Sequence, residues 1–426
     1  MSSLPERDDR PSLLVCYHFF HPDVVAGARM FADLAVEQAR RGWRVSALTS
    51  NRLWHQPSES LPAREAWSGV GVHRLFRPPF DQARPTQRLA NSAWMIAAWL
   101  ARALTMRRFD AVVIGSDPAF AALLAAPLRK ARRRTAIAHW CFDLYPEAIH
   151  AEGMAGGAGA MLGALARTMM GMAYRHCDAV VDIGPGMRER LARYPGDWQR
   201  ETITPWALVE RATVAPPDAA ARAALFGDAR LGLLYAGTMG RAHDFEAFLT
   251  LARRCRARSG DAIRVCFACR GNRYEALRAA VRPDDSNVTL APFAEEAALP
   301  ARLQSADIHL LSLRAEWAGL VVPSKFFGSL AVGRPVVFAG PASSEIAAWI
   351  GEHDLGLVVG AGADGGGVEA AAARLHELLE RPAALGAWQA NAQRTYQAHF
   401  SKAIGNDRWN SLLRALIADR GGFSGV

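Results

Sequence analysis

No run of about 18 or more apolar residues occurs in the 426-residue sequence, so no transmembrane helix is expected. The most apolar helix-like stretch, AWMIAAWLA, stops at Arg102. The opening MSSLPERDDRPS is polar and lacks an apolar h-region, so no secretory signal is expected and a cytoplasmic location is. Six cysteines show no paired spacing, which suits a reducing compartment rather than a disulfide scaffold. Cys266 and Cys269 of CFAC fall in a run that reads as a buried strand. Residues three apart on a strand face opposite ways, which argues against a metal or disulfide pair there. Zinc-finger spacing, RNA-binding aromatics and basic heptads are missing too, so nucleic acid is not an expected partner. The net charge of +9 then points to a diphosphate substrate or an acidic membrane surface. The loop that opens the second half, GTMGRAH from Gly237, lacks the Gly-x-Gly-x-x-Gly fingerprint, and no P-loop is present, which disfavours NAD and ATP enzymes.

What is present is an alternation of apolar strands and amphipathic helices. SLLVCYHF, RVSALTS, AVVIGS, RTAIAHWCF and DAVVDIG form a first strand series. LGLLYAG, IRVCFACRG, NVTLAPF, DIHLLSL and RPVVFAG form a second. Continuous apolar strands alternating with helices imply parallel sheets covered on both faces. A split near Pro205 to Pro217 divides the series into two Rossmann-like domains, with ligands expected beyond the carboxyl ends of the strands and in the cleft between them.

The strand ends carry the polar chemistry. The first gives His18, His21, Asp23 and Gly27 before a helix; no accompanying carboxylate pattern marks a metal site, and none is expected. The fifth gives His139, Asp143, Glu147 and His150, a cluster suited to holding sugar hydroxyls or moving a proton. The second series opens with Gly237, Gly240 and Arg241, a Gly-x-x-Gly-Arg loop that suits a phosphate. GLVVPSKFFGSLAVGRPVVFAG reads as Ser324 capping a short helix from Lys325 to Val332, followed by a strand. A cation in the first helical turn opposes the helix dipole at a cost of about 0.3–1 kcal/mol, a cost consistent with gathering positive potential for an anion. The segment Arg84 to Arg108 reads as a helix rich in Trp and Leu with basic flanks. With the cluster at 129–134 it is a candidate for peripheral contact with an anionic membrane; a core helix fits the same pattern.

These stretches together resemble glycosyltransferase family 4, of the GT-B architecture. The carriers are CYHFFHPDVVAGARMFADLAVEQARRGWRVSALTS, DLYPEA, CDAVVDIGPGMRERL, YAGTMGRAHDFEAFL and GLVVPSKFFGSLAVGRPVV. The likeness is to the colanic-acid or capsule-type branch, which carries Pro-Ser-Lys ahead of Ala-x-Gly-x-Pro. The resemblance implies an α/β fold of two Rossmann-like parallel-sheet domains facing across a cleft. These would be an acceptor-binding domain at 1–207, a nucleotide-sugar-binding domain at 208–400, and a helix at 401–426 returning to the first domain. It also implies retaining transfer, without metal or cofactor, from a nucleotide-diphosphate sugar to a polysaccharide or lipid-linked glycan. Gly240, Arg241, Ser324 and Lys325 would hold the diphosphate, and Arg270 and Phe293 would flank the base. His139 and Asp143 would meet the transferred sugar, and Gly27 would leave it room. The family's two glutamates, seven residues apart, fall here on Leu320 and Gly328, and Glu345 is the candidate replacement contact to sugar or ribose. Two alternatives stand beside transfer. One is a GT-B nucleotide-sugar epimerase using His139, Asp143 and Glu147; the other is a non-catalytic protein that kept the fold.

Overall fold

The computed structural model describes residues 9–81, 84–151, 157–210, 217–294, 296–360 and 367–421. Residues 211–216 of the expected linker, and most of the Gly-rich stretch before Val368, lie outside these. The chain divides into two compact units, Met1–Thr204 with Gly405–Val426, and Pro205–Ile404.

In the first unit the chain runs β1 (Ser12–Cys16), α1 (Ala26–Arg40), β2 (Arg44–Ser50), β3 (Arg64–Trp67), β4 (Val70–Leu75), α2 (Pro85–Thr105) and β5 (Ala111–Gly115). It continues through α3 (Ala125–Ala131), β6 (Ala136–Trp140), α4 (Glu147–Ala151), α5 (Gly157–Tyr174), β7 (Ala179–Asp182), α6 (Pro185–Leu191) and β8 (Gln199–Thr202). The eight strands pair in the order β3-β4-β2-β1-β5-β6-β7-β8, parallel throughout except for the antiparallel β3–β4 pair.

Side-chain alternation on β6 shows how the sheet is covered. Trp140 points to one face, where it packs on Phe31 of α1 at 5.2 Å and, edge-on, on Trp409 at 5.0 Å. Trp409 belongs to a later helix (Lys402–Asp419), joined to α1 by Gln38 donating to the Asn406 carbonyl at 3.3 Å. His139 points to the other face and meets Tyr174 of α5. There α2, α3 and α5 form one layer, with α3 packed against both neighbours.

The second unit runs α7 (Ala219–Phe226), β9 (Leu231–Thr238), α8 (Glu246–Ser259), β10 (Ile263–Arg270), α9 (Tyr274–Ala280), β11 (Val288–Leu290), α10 (Leu299–Ser305) and β12 (Ile308–Ser312). Then come α11 (Lys325–Ala331), β13 (Val336–Ala339), α12 (Glu345–His353), β14 (Gly356–Val359), α13 (Val368–Glu380) and α14 (Pro382–Thr395); the Trp409 helix is α15. Six parallel strands pair in the order β11-β10-β9-β12-β13-β14. Leu233, Tyr235, Val265 and Phe267 bury one face with residues of α8 and α13. Leu234, Cys266 and Ala268 bury the other with Leu225 and Phe226 of α7. CFAC is therefore strand, as its pattern predicts, and all six cysteines are free and buried.

Four strands escape the hydrophobic pattern. β3 and β4 form a hairpin turned by Ser68 and Gly69, both at positive φ, and β8 and β14 are short edge strands. Arg84 to Arg108 is helical over Pro85–Thr105, with Met95 and Trp99 in the core and Leu89, Trp94 and Leu104 exposed.

Trp409 is buried with its indole N–H lacking a protein acceptor among the described residues. Trp409→Ala is expected to destabilise the first unit by about 3–5 kcal/mol through the cavity left under Trp140. Trp409→Phe, which also removes the unpaired donor, costs far less. Denaturant unfolding followed by tryptophan fluorescence measures both; equal losses would rule out this account.

Candidate active site

The carboxyl ends of β9, β10 and β12 bring the expected phosphate residues together. β9 ends in Gly237 and Thr238, and β10 ends in Arg270, which lies opposite Thr238 in the parallel register. Gly237 sits at φ 115°, and a Cβ added there would come within 2.8 Å of the Lys325 Cε. The positive φ calls for glycine, and its bareness leaves room for the lysine's methylene chain. Lys325, first residue of α11, reaches back to this point. Its ammonium donates to the Thr238 carbonyl at 2.8 Å, faces the Tyr235 ring at 5.4 Å and lies 3.3 Å from His243 Nε2.

The histidine explains how that cation is held. His243 Nδ1 is 2.7 Å from the Ser312 carbonyl, which can only accept, so Nδ1 carries the proton and Nε2 presents a lone pair to the ammonium. Desolvation, reinforced by the Lys325 charge, pushes His243 down to about 3, so it stays neutral. Desolvation also lowers Lys325, to about 8. The lysine is thus an under-solvated cation near the Gly240 turn, where a Cβ on Gly240 would meet no other atom.

Arg241 is exposed in the same loop, two residues before His243. Arg270 lies over the Phe293 ring at 4.1 Å, and both side chains are exposed, which makes an aromatic–guanidinium platform of the kind a nucleobase stacks on. The structure therefore brings Gly240, Arg241 and Lys325 to one strand end, and Arg270 with Phe293 to the adjacent one.

Other expectations need correction. Ser324 has helical backbone angles and makes no side-chain cap, so it does not cap α11. Glu345 does open α12, where Ser344 supplies the cap, but its side chain is only 3% exposed, which does not suit a ribose contact. Leu320 is buried core, and Gly328 lies inside α11 with open space around it. In the first unit, a Cβ on Gly27 would run into the Tyr17 hydroxyl, so packing against Tyr17 by itself calls for glycine at this position. His139 is 1% exposed inside β6 and desolvation lowers it to about 4, which removes it from the expected cluster. Glu147 accepts from the Tyr194 hydroxyl at 2.8 Å, and His150 Nδ1 lies 3.2 Å from the Pro146 carbonyl. The acid–base set an epimerase would need is therefore not assembled. Asp143 remains half-exposed just beyond β6, its N–H donating to Ser116 Oγ at 3.1 Å.

The sequence reading overlooked Asp117 and Arg77. Asp117 follows β5 and accepts from His18 Nδ1 at 2.9 Å, fixing the tautomer of a buried histidine. Arg77 follows β4 and is fully buried; desolvation lowers it to about 10, with Asp117 and Asp23 opposing that fall. Strand-end position is the signal for both: it is legible for Asp117 after the apolar run of β5, and not for Arg77, because β4 carries no such run. Among the described residues no group of three or more His, Cys, Asp or Glu side chains is placed to hold a metal ion.

Residues 26–206 match the model of the glycosyl transferase 4-like domain. No curated protein matches. Solved structures align along nearly the whole chain. Sucrose-phosphate synthase from Thermosynechococcus elongatus is 16% identical, with a TM-score of 0.72 over 96% of this chain and 100% of that one. The catalytic domain of starch synthase IV from Arabidopsis thaliana, bound to ADP and acarbose, is 11% identical, with a TM-score of 0.64 over 96% and 99%. This is the GT-B fold. Anabaena HepE in complex with UDP-glucose is similar as well, 13% identical with a TM-score of 0.61 over 95% and 99%. The domain match and the GT-B fold together support a glycosyltransferase of GT-B type.

Two outcomes follow from the geometry of the GT-B chain's second unit. The charge on Lys325 is present below about pH 8 and lost as pH rises through it, because the folded-state pKa lies below that of a free lysine. Affinity for a nucleoside diphosphate is therefore expected to fall above about pH 8 in the wild type, and to show no such fall in Lys325→Ala. Titration calorimetry across pH 6–10 (about that range) checks this. Gly328→Ala is expected to stabilise the second unit by about 0.5–1 kcal/mol, since the added methyl meets no atom and removes backbone freedom from a helix interior. An unchanged or lowered melting temperature would contradict it.

Proposed function

We propose that the chain is a retaining glycosyltransferase of the surface-polysaccharide type. It moves a sugar from a nucleotide-diphosphate donor to a glycan or lipid-linked acceptor. The observation that carries this reading is the Lys325 ammonium, held by Thr238 and His243 beside Gly240 and Arg241. The diphosphate lies over this strand end, and the base stacks on Phe293 and Arg270. As the bond between sugar C1 and the β-phosphate oxygen breaks, negative charge grows on the leaving diphosphate. Lys325 and Arg241 neutralise it directly, so no metal is required. The acceptor hydroxyl forms the new C1–O bond on the face the phosphate leaves, and its proton passes to a phosphate oxygen. No protein nucleophile takes part. The protein works in the cytoplasm, peripheral to the inner face of the membrane, with α2 and the cluster at 129–134 on its membrane side.

Metal-free calorimetry against a panel of UDP-, GDP- and ADP-sugars tests the reading. One donor is expected to bind, and Lys325→Ala to weaken it by at least about 1.5 kcal/mol, the scale of a hydrogen bond to a charged group. Binding by no donor would favour a non-catalytic protein that kept the fold. Equal binding by both proteins would reduce Lys325 to a surface residue.

A further inference from the structure

Helix α5 reverses the usual arrangement of a helix in a globular protein. Its buried side is formed by Gly163, Met170, Gly171, Ala173 and Tyr174. Its outward side carries Met161, Leu162, Leu165, Met169 and Met172, each between 39% and 76% exposed. A helix facing water is expected to turn polar side chains outward. A contiguous apolar patch of this kind marks a surface that another phase or molecule covers.

The surroundings of the patch identify the cover. Beside the helix lies a pocket of about 670 Å³, lined by Arg167, Arg175, Arg190 and Arg193 with Thr168 and Tyr194. Among the described residues lining it, Glu147 is the one carboxylate, and it is engaged by Tyr194. The same helical layer continues through α3, where Lys130 and Arg129, the latter paired with Asp178, line a second pocket of about 620 Å³ with Arg133 just beyond the helix, to α2, which exposes Leu89, Trp94 and Leu104. Apolar side chains ringed by arginines are complementary to acyl chains beneath anionic headgroups. A second copy of the chain fits poorly, because a two-fold contact through this face would oppose arginine to arginine.

We propose that α5 is the element that enters an anionic lipid bilayer. Its Met and Leu side chains lie among the acyl chains, and the arginine pocket holds lipid phosphate. This assigns membrane attachment to a helix that was not expected to carry it, and rests on the lipid-linked acceptor reading only for its purpose. Binding to the bilayer itself needs no donor.

Vesicle flotation of the full chain tests the assignment. The wild type is expected to float with phosphatidylcholine vesicles containing phosphatidylglycerol, to stay behind with phosphatidylcholine alone, and to be released by salt. Leu165→Asp with Met169→Asp changes exposed side chains only and is expected to weaken vesicle binding at least about tenfold, with the melting curve unchanged. Arg167→Glu with Arg193→Glu is expected to do the same. No flotation of the wild type, or undiminished flotation of both double variants, would overturn the proposal. So would a dimer that Leu165→Asp with Met169→Asp splits while neither form binds vesicles. Donor titration on the same samples separates the two readings. Flotation without donor binding would leave the bilayer assignment standing and remove the transferase one, whereas donor binding without flotation would do the reverse.

Discussion

Parallel pairing of β9 with β10 and β12 is the constraint on which the candidate site depends. A parallel sheet with crossover helices delivers the carboxyl end of every strand to one edge. Gly237 and Thr238, Arg270 and Ser312 therefore meet although the chain separates them widely. Thr238 offers a carbonyl to Lys325, and Ser312 offers one to His243. Backbone carbonyls at the strand ends thus hold the cation and the histidine beside it.

The two units treat buried charge by the same rule. In each, a histidine is fixed in one tautomer by an oxygen acceptor, Ser312 for His243 and Asp117 for His18. In each, a cation close by is pushed below its ordinary pKa by desolvation, Lys325 in one and Arg77 in the other. Poorly solvated cations gain more from an arriving anion than solvated ones do, because part of the desolvation cost is already met within the fold.

How much of this the sequence disclosed depended on which force acted locally. Ten strands announce themselves by uninterrupted apolar runs, since a sheet buried on both faces tolerates little else. The β3–β4 hairpin, polar and at the sheet edge, gave no such run; the Ser68–Gly69 turn was its only mark. The grouping of Gly240, Arg241 and Lys325 was legible because strand-end loops of parallel sheets converge. His243's part was not, since nothing in sequence says which carbonyl orients a ring. His139 illustrates the reverse error. The sequence groups it with Asp143 at the strand's end, but β6 carries it into the core, where period-two alternation turns it under α5. The outward apolar side of α5 was hidden for a similar reason, as composition cannot tell a buried helix from one whose apolar side faces out.

The chain is built almost without lysine. Of its fifty basic residues only Lys130, Lys325 and Lys402 are lysines. An arginine at position 325 would carry a broad planar fork where Gly237 leaves room for a slender methylene chain. The substitution pattern also gives the molecule a chemical handle. A primary amine titrating at about 8 holds a sizeable unprotonated fraction near neutrality, and unprotonated amines are the ones that acylating reagents attack. Limited acylation of the native chain should mark Lys325 among very few competitors, so that occupancy of the strand end by any ligand can be followed as protection of a single side chain.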